Sequence, residues 1–424
     1  MKKLVSIIYF FGFLNLTLAQ VVDSITLSKS EVEALFLKNN IDLISQKLKI
    51  SQAEARLVQS KFWPNPTLTV DEVNLWRTWD IEKQPALLGN WGTNSEIAVE
   101  IEQVIQTAGK RRKSIELAQI EVEGEQFEFQ EVLRELKKDL RDHINEILLN
   151  QEKQQIVQSQ ISSISKLTKA YQNQFNQGNI SKAEYIRLKA QEMEFKKDLI
   201  TLQQEIQEEQ TELKSLLMLS PKVYIKISDK LETPKTLIAY QNAEYWFELA
   251  EKNRPDILLN RNEEKSAQKN VELQNAMKTP DLAFKVGYDR GGNIMKDFVG
   301  LGVAFDLPVF DRNKGNIQDA KLEVEKKALA TKKTIHQSQN EITSAVQNYL
   351  ITEKMSKELE GDYEDTMDKL LLSYEKNFRA RNITMLEYMD FLETYINNKN
   401  IILETQKELN DQLEQLQYVI GQDL

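Results

Sequence analysis

Proline is absent from residues 86–220 and from everything after residue 308. Glycine nearly disappears from the same stretches: after Gly124 the next is Gly178, and then none follows until Gly287. Long stretches without breakers, rich in Glu, Gln, Lys and Leu, are expected to form long helices. Apolar residues recur there at steps of three and four, as at Ile115, Ala118 and Val122 and again at Val132, Leu136, Leu140 and Ile144. That spacing is a coiled-coil seam. A first helix over 110–176 would be ~100 Å long at a rise of about 1.5 Å per residue. Such a helix is too long for the core of a compact globule, so it needs neighbours of similar length.

Composition narrows the function. There is no cysteine, which excludes a disulfide scaffold, thiolate metal sites, a cysteine nucleophile and a lipidated N-terminal cysteine. The two histidines, His143 and His336, are far apart in sequence, and the net charge of −10 argues against a nucleic-acid binder. Gly109-Lys110 lacks the upstream glycine and the following Ser/Thr of a phosphate loop. Nothing singles out a catalytic pair among the 65 acidic residues, so no enzyme, cofactor or metal site is expected. Residues 1–19 read as an export signal: Lys2 and Lys3, an apolar stretch over 4–16, then Thr17-Leu18-Ala19. Cleavage is expected before Gln20. No other apolar run reaches the roughly 20 residues of a membrane helix. An exported chain without cysteine fits the periplasm or outer membrane of a Gram-negative bacterium.

The chain also repeats itself. Residues 95–123 align without a gap on 297–325. Upstream, Leu35, Lys38, Asn39 and Asp42 match Leu249, Lys252, Asn253 and Asp256. Downstream, Tyr171, Phe175, Asn179, Ile180, Glu184 and Tyr185 match Tyr374, Phe378, Asn382, Ile383, Glu387 and Tyr388. Three blocks in one order indicate a tandem duplication. The expected division is a first repeat over 20–218, a linker over 219–241 and a second repeat over 242–424.

Each repeat holds two segments of period-two alternation. In 299–307, Val299, Leu301, Val303, Phe305 and Leu307 alternate with Gly300, Gly302, Ala304 and Asp306. The first repeat sets Ile97, Val99 and Ile101 against Ala98, Glu100 and Glu102. Residues 282–289 and the stretch from Thr67 supply the other two strands. A half-buried sheet alternates in this way, and so does a transmembrane strand with its apolar side toward lipid. Export, and the cluster of Trp63, Trp76, Trp79 and Trp91 around the first strand pair, favour lipid. The lipid-facing set is then Ile97, Val99, Ile101, Val299, Leu301, Val303 and Phe305. Four strands cannot close a barrel, whereas two chains would supply eight and three would supply twelve.

Between the paired helices lie two short turns, 176–181 and 379–384. Ser181 with Glu184, and Thr384 with Glu387, have capping-box spacing and would restart a helix after each turn. Gly178 suits a left-handed conformation, whereas the second turn has Arg381 at that place. Arg111, Arg112 and Lys113 follow the second strand, where they could meet lipid phosphates or water alike.

The doubled order of helix, strand pair, long helix, tight turn and returning helix resembles the TolC-like outer-membrane efflux proteins. The similarity is carried by residues 101–112 and 175–181, by Asp306-Leu307-Pro308-Val309-Phe310, and by 378–384. The resemblance implies a mostly α fold with membrane β: a long-helix α-barrel tunnel, and four strands per chain contributing to a twelve-stranded outer-membrane β-barrel in a homotrimer. It also implies a periplasmic adaptor as partner, serving an inner-membrane transporter. Carried over, Gly178, Asn179, Ile180, Asn382 and Ile383 would be docking positions for the adaptor. Glu387 and Asp390, three apart on one helix face, would form a ring of six carboxylates at the narrow end. The Gly-Lys-Arg turn at 109–111 looks most like the subgroup that exports metal cations. Two rivals remain at this stage: a periplasmic coiled-coil scaffold or adaptor, which would be soluble without detergent, and an exported enzyme, which would be a compact monomer with a polar pocket.

Overall fold

The computed structural model describes residues 24–71, 97–234, 242–290, 297–359 and 363–424. The expected export signal at 1–19, the loop 77–93 and Trp76, Trp79 and Trp91 lie outside the described residues, as do 235–241 of the linker and 291–296. In chain order the elements are β1 (Ser24–Leu27), α1 (Lys29–Asn39), α2 (Ile41–Ser60), β2 (Thr67–Asp71), β3 (Ile97–Ile105) and α3 (Lys110–Asn176). Then come α4 (Lys182–Leu217), β4 (Tyr224–Ile227), α5 (Ala243–Asn253), α6 (Pro255–Ala276), β5 (Leu282–Arg290) and β6 (Asp297–Ala304). The chain ends with α7 (Lys314–Leu359), α8 (Tyr363–Arg379) and α9 (Met385–Ile420). It divides into two compact units, 1–38 with 146–231 and 39–145 with 232–424.

In the first unit, α4 buries Leu188, Phe195, Ile206, Leu213 and Leu217. Their spacings of 7, 11, 7 and 4 residues are close to whole numbers of helical turns, so they form one apolar stripe along the helix. β1 and β4 pair in parallel, with Ile25 opposite Ile225. Gln210, fully buried in the α4 stripe, substitutes for a further strand. Its amide donates to the Ile225 carbonyl and accepts from the Ile225 N–H at 2.9 Å, so both backbone groups are satisfied.

The second unit holds the membrane-type sheet. Its order is β2-β3-β5-β6, antiparallel throughout. Leu68, Ile101, Val286 and Leu301 stand opposite one another across the four strands, and Val70, Val99, Tyr288 and Val299 form the next row of that face. Leu301 is 86% exposed. The other face carries Thr67, Glu102, Lys285 and Gly302 in one row. β2 and β6 have no partner on their outer sides among the described residues. No helix of the described residues is long and apolar enough to cross a membrane.

One strand is shorter than its alternation predicts. β6 ends at Ala304, opposite Ala283, so Phe305 and Leu307 stand beyond the ladder, although both are exposed. The foot of β5 is drawn the other way: Thr107 N–H and Lys110 both donate to the Asp281 carboxylate, at 2.9 and 2.8 Å. The chain after Phe305 then turns at Pro308, where the Val309 N–H donates to the Leu307 carbonyl at 2.8 Å.

A core of Trp246, Ala250, Ile342, Ala345, Tyr349, Leu409, Leu413 and Leu416 joins α5, α7 and α9. Beside it, the C-terminal end of α9 meets two arginines. Arg254 is 4% exposed; it forks onto Asp256 at 2.9 and 2.6 Å and donates to Glu341 at 2.7 Å and to the Val419 carbonyl at 3.1 Å. Arg134 donates to the Tyr418 carbonyl at 2.7 Å and lies over the Tyr418 ring. Both cations therefore bond carbonyls of the last turn, where the helix dipole is negative, although the Tyr418 carbonyl also accepts the Gly421 N–H at 3.2 Å. Gly421 closes α9 in the left-handed region at φ 80, so close to Arg254 that a Cβ would sit 2.8 Å from its Cα. Gly421→Ala is expected to cost about 1–3 kcal/mol through strain and overpacking. Thermal melting followed by helical circular dichroism checks this, with Gly315→Ala as control because nothing lies near its Cβ position.

Candidate functional site

The features with functional chemistry are two helical turns and one sheet face. In the first unit, α3 ends in a turn closed by backbone hydrogen bonds: Gly178 N–H to Phe175 carbonyl at 2.9 Å and Asn179 N–H to Gln174 carbonyl at 2.9 Å. Gly178 has φ 77, the left-handed value its lack of Cβ permits. The Asn179 side chain donates to Gln174, also at 2.9 Å. Ser181 then caps α4: its hydroxyl accepts the Glu184 N–H, and its own N–H donates to the Glu184 carboxylate at 2.9 Å. Phe175 and Tyr185 stack across the turn with ring centroids 5.8 Å apart.

The second unit repeats this construction between α8 and α9. Arg381 N–H donates to Phe378 and Asn382 N–H to Asn377. Arg381 has φ 63, so a non-glycine residue here takes the strain that Gly178 avoids. Thr384 caps α9 through the Glu387 N–H, and Glu387 accepts the Thr384 N–H at 2.7 Å and its hydroxyl at 2.8 Å. Phe378 and Tyr388 stack at 4.7 Å. Burial pushes the Tyr388 hydroxyl up to about 12. The paired rings sit ten residues apart in both repeats, a spacing that could have marked these stacks from sequence.

Glu387 and Asp390 lie in the first turns of α9, and both are exposed. They differ in freedom. The Thr384 N–H and then its hydroxyl hold the Glu387 carboxyl below its ordinary value and fix one of its oxygens at the cap. Ile180 and Ile383 are half-buried at their turns, whereas Gly178, Asn179 and Asn382 are exposed.

The polar face of the sheet carries charge that sequence reasoning did not pair. Lys285 on β5 reaches Glu100 at 2.7 Å and Glu102 at 2.8 Å on β3. Arg111 stacks over Trp63 with 4.8 Å to the ring centroid and donates to the Lys61 carbonyl. Arg112 and Lys113 bind locally, to Glu116 and to the Ala108 carbonyl. No group of three or more metal-binding side chains occurs among the described residues.

Residues 34–217 match the family of outer membrane efflux proteins. Solved structures share the fold over nearly the whole chain. A membrane protein from Pseudomonas aeruginosa is 14% identical, with a TM-score of 0.72 over 93% of this chain and 90% of its own. The Campylobacter jejuni CmeC outer membrane channel is 13% identical, with a TM-score of 0.72 over 92% of this chain and 85% of its own. The outer membrane protein VceC from Vibrio cholerae is 16% identical, with a TM-score of 0.70 over 93% of this chain and 96% of its own. No curated protein sequence matches. The fold is therefore the one expected: a mostly helical chain whose long helices belong to an α-barrel tunnel and whose strands contribute to a β-barrel.

The second cap generates a pH prediction. A carboxyl lowered on folding contributes stability that is complete above its unfolded value, about 4.3, and is lost as pH falls through the lower folded value. Amide protection over 385–388 is expected to fall in that window. Thr384→Val should lower protection at neutral pH and flatten its pH dependence, as measured by hydrogen exchange.

Proposed function

We propose that this chain, whose residues 34–217 match the outer membrane efflux protein family, is the outer-membrane channel of a tripartite efflux pump. The observation that carries this reading is the four-stranded sheet with one exposed apolar face and two edges that are open among the described residues. In hydrocarbon an open edge leaves unpaired backbone groups that cost several kcal/mol each, so the sheet must close with copies of itself. Three copies give a twelve-stranded barrel, with Ile97, Val99, Ile101, Val299, Leu301 and Val303 toward lipid and the Lys285 face toward the lumen. The two repeats, 20–218 and 242–424, would then each contribute helices to a periplasmic tunnel, with 219–241 as a belt around it.

The duct is passive. No reacting group is required of it, because the work of transport belongs to an inner-membrane transporter coupled through a periplasmic adaptor. The turn residues Gly178, Asn179, Ile180, Asn382 and Ile383 are the adaptor's docking positions. Glu387 and Asp390 line the narrow end, where six carboxylates favour cations. The cargo is a small molecule or a metal cation.

Native mass of the detergent-extracted protein from separated membranes tests the assembly. A trimer from the outer-membrane fraction is expected, and a soluble monomer or dimer needing no detergent overturns the channel in favour of a periplasmic scaffold. Val303→Arg should abolish membrane assembly, since a cation on the lipid face costs about 2–4 kcal/mol at mid-bilayer. In reconstituted channels Asp390→Asn should lower the preference for cations, read as a shift in reversal potential across a salt gradient.

A further inference from the structure

At four corners the chain turns between the sheet and a helix: 61–66 between α2 and β2, 106–109 between β3 and α3, 277–281 between α6 and β5, and 305–313 between β6 and α7. Hydrogen bonds and ring contacts link them in that order. The first is tied to the second by Gln103, which donates to the Pro64 carbonyl at 3.0 Å, and by Arg111 over the Trp63 ring. The second is tied to the third by the Thr107 hydroxyl, which donates to the Pro280 carbonyl at 2.6 Å, and by Lys110 on Asp281. The last turn of α6, leading into the third, is tied to the fourth by Asn313, whose amide donates to the Gln274 carbonyl at 2.8 Å. The two inner corners are therefore held from both sides. The two outer corners have such a neighbour on one side only among the described residues.

Both outer corners expose large apolar side chains. The fourth leaves Leu307 and Val309 exposed and Phe310 wholly so, and the first leaves Phe62 and Trp63 more than half exposed. The repeat alignment shows what has changed there. Thr107 and Ala108 correspond to Val309 and Phe310, and Met277 and Asp281 correspond to Trp63 and Thr67. The threonine hydroxyl and the carboxylate that serve the inner contact are thus both missing from the outer corners, and bulky apolar groups stand there instead. Two surfaces that meet must change together in this way, because a donor or acceptor left facing an apolar partner is costly. Lipid would cover either patch without requiring the other to match. One chain cannot join its outer corners, since the two inner ones lie between them. A second copy can, and β2 and β6, which adjoin these corners, are the two outer strands of the sheet.

We propose that the β6–α7 corner of one copy seats on the α2–β2 corner of the next, with Val309 and Phe310 against Phe62 and Trp63. The proposal rests on the channel reading above and deepens it by naming the surfaces through which copies join where sheet gives way to helix. The contact between copies is apolar at the place where the corresponding contact within a copy is hydrogen-bonded and charged. Neither corner can then satisfy the other's inner partner, which keeps the copies in head-to-tail order.

The chain has no cysteine, so an introduced pair reports on itself alone. Phe310→Cys is combined with Trp63→Cys, and separately with Phe62→Cys, in the full chain. The membranes are oxidised and run on a denaturing gel, and native mass is measured on detergent extracts of the same preparation. Covalent dimers and trimers are expected from these pairs. None is expected from Ile351→Cys with Trp63→Cys, because Ile351 lies about 55 Å along α7 from its first residue. Phe310→Ser should raise the concentration at which trimers dissociate roughly tenfold, as loss of a buried aromatic ring implies. Phe310 is wholly exposed in the single copy, so this change leaves the fold of that copy intact. A trimeric mass with no covalent product from either pair, the result a lipid-facing corner would give, overturns the seat and leaves the channel standing. Phe310→Ser trimers that dissociate like the parent do the same. A monomeric mass overturns the channel, and the seat with it.

Discussion

A β-sheet in hydrocarbon has no water to satisfy its edges, and in the channel we propose this constraint organises the second unit. The apolar rows Leu68–Ile101–Val286–Leu301 and Val70–Val99–Tyr288–Val299 have no cover among the described residues. In the channel we propose, lipid covers these rows and other copies pair with the edges, because four strands cannot curl into a barrel. The same constraint explains why the opposite face can be hollow. Gly287, Gly300 and Gly302 would leave voids in a packed sandwich, where every cavity costs contacts. Against a wide aqueous lumen they cost little.

The helices answer a different problem. Long amphipathic helices are held mainly by seams, as in the α4 stripe from Leu188 to Leu217, and seams alone leave helix ends free to fray. The end of α9 is secured by a clamp of unlike chemistry: Arg254 and Arg134 on the Val419 and Tyr418 carbonyls, with Asp256 and Glu341 around Arg254. Burial alone would lower the arginine's affinity for its proton, but Asp256 and Glu341 outweigh it, and the group is held above its ordinary value. The Asp256 carboxyl is held below its own, with burial opposing and Arg254 prevailing. Paired charges of this kind add little net stability compared with an apolar core, yet breaking one partner is costly. They fix which end of which helix meets which.

Much of this was legible in one sequence because it is written in local periodicity. Breaker-free runs mark α3 over 110–176, and alternation marks β3 and β5. Ser181 and Glu184 carry a cap in their three-residue spacing. What stayed hidden depends on register. Lys285 meets Glu100 and Glu102 only because Glu102 stands opposite Lys285 across β3 and β5, more than 180 residues apart, and no local pattern encodes that pairing. Register also sets where β6 ends: alternation continues to Leu307, but the ladder stops at Ala304, opposite Ala283, and Pro308 beyond it has no N–H to give to a ladder.

The two turns share a geometry but differ in chemistry. Both turns hold a left-handed residue, a capping box and a stacked ring pair. In the first turn the left-handed residue is glycine and the helix face that follows carries Glu184 and Arg187, which offset each other. In the second it is Arg381, and the face carries Glu387 and Asp390, which do not. A solvated helix face gains nothing from removing the arginine. An acidic face does gain where copies bring such pairs around one axis, because the repulsion between them then works against closure and the field attracts cations. In the channel we propose, this asymmetry between the turns suits the first to adaptor contact and the second to charge.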